Sequence, residues 1–172
     1  MSIRNIPASP HRWFGLAIAA AILIADQLVK WVVTVPMGLE ARRQIALIPF
    51  FDLTYVRNYG ISFGLFTAGS DTARWALVAL TLVVSAGVGW WLWRARARGD
   101  VVALALILGG ALGNIIDRAR FGYVIDYADL HFGTFRPFLI FNIADAAITI
   151  GVLLLVARSL LLREKAPTGQ SA

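Results

Sequence analysis

At 172 residues the chain is 59% hydrophobic and only 15% charged, with a mean hydropathy of +0.71. Soluble domains run at about 45–50% apolar and about 25% charged, so an ordinary water-soluble globule is excluded and a small polytopic membrane protein is indicated. Zero cysteines exclude disulfides, thiol catalysis and thiolate metal sites, and the net charge of +6 comes from basic residues flanking apolar runs, not from a basic stripe interleaved with aromatics, which favours lipid head groups over nucleic acid as partner.

In chain order, a polar start with Arg4 and Arg12 leads into an apolar run over 13–35 that contains Asp26 and Lys30. It is too long for the apolar core of a signal peptide, about 7–15 residues, and reads as a first transmembrane helix. The following loop is too long for a simple connection. Within 40–58, β-branched and aromatic residues predict short strands at the outer surface. The apolar segment 60–68 is too short to span and reads as an interfacial helix or a re-entrant segment, which, flanked by Gly60 and Gly69, can serve as a lid over the site.

A second span over 75–93 carries no charge and has tryptophans at both ends, where aromatic belts sit. A third, 101–118, is rich in glycine, and a fourth, 138–157, holds Asp145 as its one charge, eight residues in. The stretch Tyr123–Tyr127 between them can pair with the earlier strands, and 163–172 reads as a disordered tail. Basic residues are denser on the side of the termini, with RARAR at Arg94–Arg98, which places both termini in the cytoplasm. The whole is a single membrane domain.

Charges at membrane depth are costly and need a reason to be there. Asp26 and Lys30 stand four apart with the acid first, the favoured order for a pair on one helix face. Gly109, Gly110 and Gly113 form a stripe of small residues that lets another helix approach. Asn114, Asp117 and Arg118 follow on one face. Asp117 beside Arg118 reads most simply as a local ion pair, and Asn114 as a helix-to-helix hydrogen bond or a substrate contact. Asp126 and Asp145 have no obvious local partner, although Asn142 shares the face of Asp145. If the third and fourth spans are neighbours, both carboxyls can open into one cavity near the outer surface. Two carboxylates in one site share a proton, so that one can activate water while the other polarises a carbonyl. That chemistry needs no metal or cofactor, but carboxylates in membranes also serve proton and ion transport. A proton- or ion-coupled transporter is therefore the alternative, although no internal repeat of the kind many transporters show is visible.

At the level of motifs the chain resembles the lipoprotein signal peptidases (signal peptidase II) of bacteria, through DQLVK at Asp26–Lys30, NYGISF at Asn58–Phe63, GGALGNIIDRARFGYVIDY at Gly109–Tyr127 and FNIADAAI at Phe141–Ile148. The intramembrane proteases of the presenilin type fit less well, since ADAA around Asp145 lacks their GxGD pattern. The resemblance implies an all-α polytopic membrane protein of four transmembrane helices with a small extracytoplasmic β-cradle and a short interfacial helix. It implies a monomeric inner-membrane aspartyl endopeptidase that cleaves prolipoproteins just before a diacylglyceryl-modified cysteine. Asp126 and Asp145 would be its catalytic pair. Asn58, Gly60, Asn114, Arg118 and Asn142 would lie near the substrate, with Asp26, Lys30 and Asp117 in support. Ile61 and Ser62 stand where alanines are common, and Ile125 and Tyr127 replace valine and phenylalanine.

Overall fold

The computed structural model describes residues 11–60 and 71–163. The interfacial segment expected at 60–68 lies outside this range except for Gly60, as does the expected tail from 164 onward.

Four helices are long and apolar enough to cross a membrane: α1 (Arg12–Thr34), α3 (Asp71–Arg94), α4 (Arg98–Phe121) and α5 (Ile143–Arg163). A four-residue helix, α2 (Leu39–Arg42), follows α1, and three strands complete the fold: β1 (Gln44–Ile48), β2 (Phe51–Asn58) and β3 (Val124–Leu130). The strands form an antiparallel sheet in the order β1-β2-β3, so "all-α" describes only the membrane part. Of the stretch Tyr123–Tyr127, all but Tyr123 falls in the first half of β3, where Val124, Ile125 and Asp126 pair with β2.

Of the four long helices, α4 is the axis. In its most apolar stretch 61% of residues are buried, against 17–22% in the others. The glycine stripe explains this and also divides it. A Cβ at Gly109 would stand 2.5 Å from the Ala19 carbonyl oxygen of α1, whereas one at Gly110 would collide with the Ala144 carbonyl oxygen of α5. Successive helix residues turn by about 100°, so two adjacent glycines admit two different helices. From the other side, Gly151 of α5 answers with the Ala103 carbonyl of α4, 2.6 Å from where a Cβ would sit. Tight backbone contact of this kind is how helices associate where lipid removes the hydrophobic drive between them. The more lipid-facing α3 exposes Trp75, Trp90, Trp91 and Trp93 at its ends. Arg74 and Arg94 lie over the rings of Trp75 and Trp90 at 4.9 and 4.1 Å, as amphipathic side chains do at a membrane–water boundary.

Local chemistry sets the ends. Pro36 follows α1 closely and disfavours helix at the residue before it. Gly122, in the left-handed region at φ 86°, terminates α4 and returns its N–H to the Arg118 carbonyl at 3.1 Å. Arg74 Nε reaches across from α3 to the same carbonyl at 2.8 Å, a cation placed at the negative end of the α4 dipole. The last span starts later than its apolar run. Phe141 is drawn into a bridge with Ala128 on the free edge of β3, and Asn142 then caps the helix: its Oδ1 accepts from the N–H of Asp145 at 2.9 Å. Asp145 consequently sits in the first turn of α5 and not two turns inside. A buried cluster of Val33, Leu39, Leu53, Tyr55, Ile125, Tyr127 and Ala128 fastens the sheet to the C-terminal end of α1.

Candidate active site

Below the sheet, α1 and α4 meet through charge. Lys30 Nζ lies 2.8 Å from Asp26 Oδ2 and 2.7 Å from Asp117 Oδ2, with all three side chains no more than 4% exposed. The Asp26–Lys30 pair is the one its spacing anticipates. The expected Asp117–Arg118 pair does not form: adjacent helix residues diverge by about 100°, and Asp117 faces α1 while Arg118 turns away. Gln27, which the sequence reading passed over, donates to Asp117 Oδ1 at 2.9 Å and to Asp26 Oδ2 at 3.3 Å. Its position beside Asp26 in an apolar span was the available signal. The Nε of Arg118 is buried without a hydrogen-bond partner among the described residues.

Above this layer the structure gathers three asparagines around two carboxylates. In the β2–β3 register Val56 opposes Asp126 and Asn58 opposes Val124. Asn58 is therefore the diagonal neighbour of Asp126, and its Nδ2 donates to Asp126 Oδ2 at 3.0 Å. The Oδ1 of Asn58 accepts the N–H of Gly60 at 2.9 Å. Gly60 adopts φ 90° and would place a Cβ 2.6 Å from the Leu77 side chain, so this turn requires glycine. Asn142 joins the two acids. Its Nδ2 donates to Asp126 Oδ1 at 2.7 Å, and its backbone N–H donates to Asp145 Oδ2 at 3.4 Å. Asn114 Nδ2 donates to Asp145 Oδ1 at 2.8 Å. One buried residue thus touches both carboxylates.

Asp126 has a carboxyl raised from 3.8 to about 6, first by burial and then by the negative charge of Asp145, against the hydrogen bonds from Asn58 and Asn142. Asp126 lines a cavity of about 730 Å³ together with Val56, Asn58, Gly60 and Arg136, whereas Asp145 lines a neighbouring one of about 280 Å³ with Phe141 and Thr149. Phe138 and Leu139 line both, so the two cavities adjoin at this loop.

Asp126, Asp129 and His131 stand close in sequence but do not gather, and the described residues contain no group of three His, Cys, Asp or Glu side chains that could hold a metal ion. Alternation along β3 sends residues three apart to opposite faces. Asp129 instead opposes Asp52 across the sheet and is held by Arg136 at 3.0 Å and Thr54 at 3.0 Å, while His131 Nε2 lies 3.1 Å from Asp52.

Comparison with known proteins agrees with this architecture. A family profile described as signal peptidase (SPase) II matches residues 18–161. A lipoprotein signal peptidase of Sphingopyxis alaskensis is 63% identical over 158 residues, 92% of this chain and 91% of the relative. One from Vibrio cholerae is 35% identical, covering 95% of both chains. Two solved structures of a bacterial membrane enzyme superpose with TM-scores of 0.74 and 0.73 at 29% and 30% identity, over 93% and 86% of this chain and 94% and 93% of theirs.

Proposed function

The chain belongs to the signal peptidase II family, and from that premise we propose that it removes signal peptides from prolipoproteins by an aspartate pair, Asp126 and Asp145, cutting before a diacylglyceryl-modified cysteine. Membership makes the chain a multi-pass membrane peptidase, and the transporter alternative finds no support in its relatives. One observation carries the finer reading: the single residue Asn142 hydrogen-bonds both carboxylates, which ties the two acids into one unit.

Asp126, raised by burial and by its partner's charge, holds the shared proton and donates it toward the scissile carbonyl. Asp145 takes a proton from the attacking water. The tetrahedral diol then collapses: Asp126 takes back a hydroxyl proton as the carbonyl re-forms, the C–N bond breaks, and the leaving cysteine nitrogen receives the proton held by Asp145, so the pair is again singly protonated. Asn58, Asn114 and Asn142 keep the acids in place, while Gly60 and Arg118 border the approach of the substrate. No metal or cofactor is assigned a step. The signal helix lies in the bilayer against the bundle and the diacylglyceryl chains lie in lipid. Exposed Phe138 and Leu139 meet the substrate where it crosses between the two cavities. The protein acts as a monomer in the inner membrane, its termini cytoplasmic and its site near the extracytoplasmic face.

This reading predicts dependence on the lipid. With purified enzyme in bicelles, a peptide bearing diacylglyceryl-cysteine is cut on the N-terminal side of that cysteine. The same peptide with a free thiol is cut at least about 100-fold less efficiently, since binding energy from remote groups is spent at the reacting centre. Equal rates for the two peptides, read by mass spectrometry, would refute it.

A further inference from the structure

The buried charges beneath the aspartates reach farther than helix docking requires. Asp117 Oδ2 accepts the backbone N–H of Ile125 at 3.1 Å, and Ile125 immediately precedes Asp126. Asp26 Oδ1 accepts the backbone N–H of Ala144 at 3.0 Å, and Ala144 immediately precedes Asp145. The two contacts are equivalent: a buried carboxylate fixes the peptide group next to each acid of the pair. Lys30 Nζ joins the two holders at 2.8 and 2.7 Å, and it also donates to Asn114 Oδ1 at 3.4 Å, the side chain that orients Asp145. Gln27 Nε2 ties the same two holders a second time.

We propose that Asp117, Lys30 and Asp26 form a positioning clamp that sets the spacing and aim of Asp126 and Asp145; the inference rests on the aspartate-pair reading above. Docking α1 against α4 would take one ion pair, or none. Burying each charge carries a desolvation penalty, and an apolar trio of similar volume often packs as well or better. A second carboxylate brings more acceptors than one lysine can meet, and the remaining ones are taken up by Gln27 and by the backbone N–H donors of Ile125 and Ala144. Those backbone donors belong to β3 and α5, the two elements that carry the acids. One lysine on α1 thereby links a strand and a helix that must hold their side chains to within a fraction of an ångström, a tolerance that catalysis is known to need.

The test uses full-length protein in bicelles with the diacylglyceryl peptide, measuring kcat, KM and the pH profile of Asp26→Asn, Asp117→Asn, Lys30→Met and Lys30→Arg. The clamp predicts kcat lower by about tenfold to a hundredfold, the cost of an ångström-scale misplacement. KM should stay within about threefold, the mark of lost transition-state positioning with binding kept. Lys30→Arg, which keeps the charge, should recover part of the kcat lost in Lys30→Met, and the pH profile should shift in the methionine variant. Variants with reduced thermal midpoints but wild-type kcat and pH profile would overturn the proposal and leave only a docking role. If Lys30→Met does not accumulate in the membrane, Lys30→Arg decides alone: reduced kcat at unchanged KM supports the clamp, and wild-type kcat overturns it. Asp126→Asn and Asp145→Asn run alongside. Turnover in either would mean that the aspartate-pair reading has failed, whereas inactivity in both with wild-type kcat in the clamp variants would mean that the clamp alone has failed.

Discussion

Asp145→Asn and Asp126→Asn should each lose about 10²–10⁴-fold in turnover, the range associated with removing a positioned acid or base. Both should retain the fold. Each carboxylate accepts from N–H donors on both oxygens, Asn114 and Asn142 at Asp145 and Asn58 and Asn142 at Asp126, so an isosteric amide keeps the volume and one acceptor and loses one local hydrogen bond without disturbing the packing. At Asp126 the substitution also removes a carboxylate whose ionised form the fold disfavours through burial and the charge of Asp145. Activity and stability should therefore separate, with turnover collapsing while the thermal midpoint in detergent stays near wild type. Since the acids act as one unit, the double variant should be little worse than either single one. Substantial prolipoprotein processing by either correctly inserted single variant would contradict the assignment.

Gly110→Ala should be the most damaging single methyl group in the membrane core. Its Cβ would collide with the Ala144 carbonyl oxygen and approach Ile148 Cγ1 at 2.9 Å. Backbone cannot rotate aside as a flexible side chain can, so α5 must back away from α4. Overpacking of this kind typically costs about 1–3 kcal/mol. The damage extends to the site, because the N–H of Ala144 is the one Asp26 holds and Asp145 is the next residue. Loss of activity should therefore exceed loss of stability: a displacement near 1 Å at the acid can reduce turnover by about 100-fold. Gly87→Ala is the control. Nothing lies within 4 Å of a Cβ there, and a helical glycine is weaker than alanine by about 1 kcal/mol, so this variant should be at least as stable as wild type and fully active. Equal behaviour of the two variants, by thermal unfolding and peptide cleavage, would show that α4–α5 contact at Gly110 does not position the site.

What could be read from the chain depended on whether its cause was local. Spans show themselves through length and apolarity, so the four long helices and their tryptophan ends were legible, as were the strands flanking Pro49 and the pairing of Tyr123–Tyr127. Asp26–Lys30 was legible because its partner sits on the same helix face. Asp117 was misassigned because its partner, Lys30, stands on another helix, and nearness in sequence says little about which way adjacent helical side chains point. The start of α5 was misplaced because Phe141 is taken by the edge of β3, a tertiary contact that leaves no local trace. The asparagine cap at Asn142 was the readable hint. The glycine stripe was seen, but its division between α1 and α5 follows only from helical phase. The adjoining cavities lined by Asp126 and Asp145 depend on where the loop of Phe138 and Leu139 runs, which no periodicity encodes.

The most direct test of the shared-proton mechanism is the pH dependence of kcat/KM for the diacylglyceryl peptide, which reports on ionisations of the free enzyme. A singly protonated pair predicts a bell. Activity should rise from acid pH as the first proton leaves, then fall as pH climbs past about 6, where Asp126 gives up the proton that burial and the charge of Asp145 retain. Asp126 is the acid, so its deprotonation switches the pair off on the alkaline side. A profile that instead keeps rising through pH 9, as a deprotonating lysine base would give, would contradict the account.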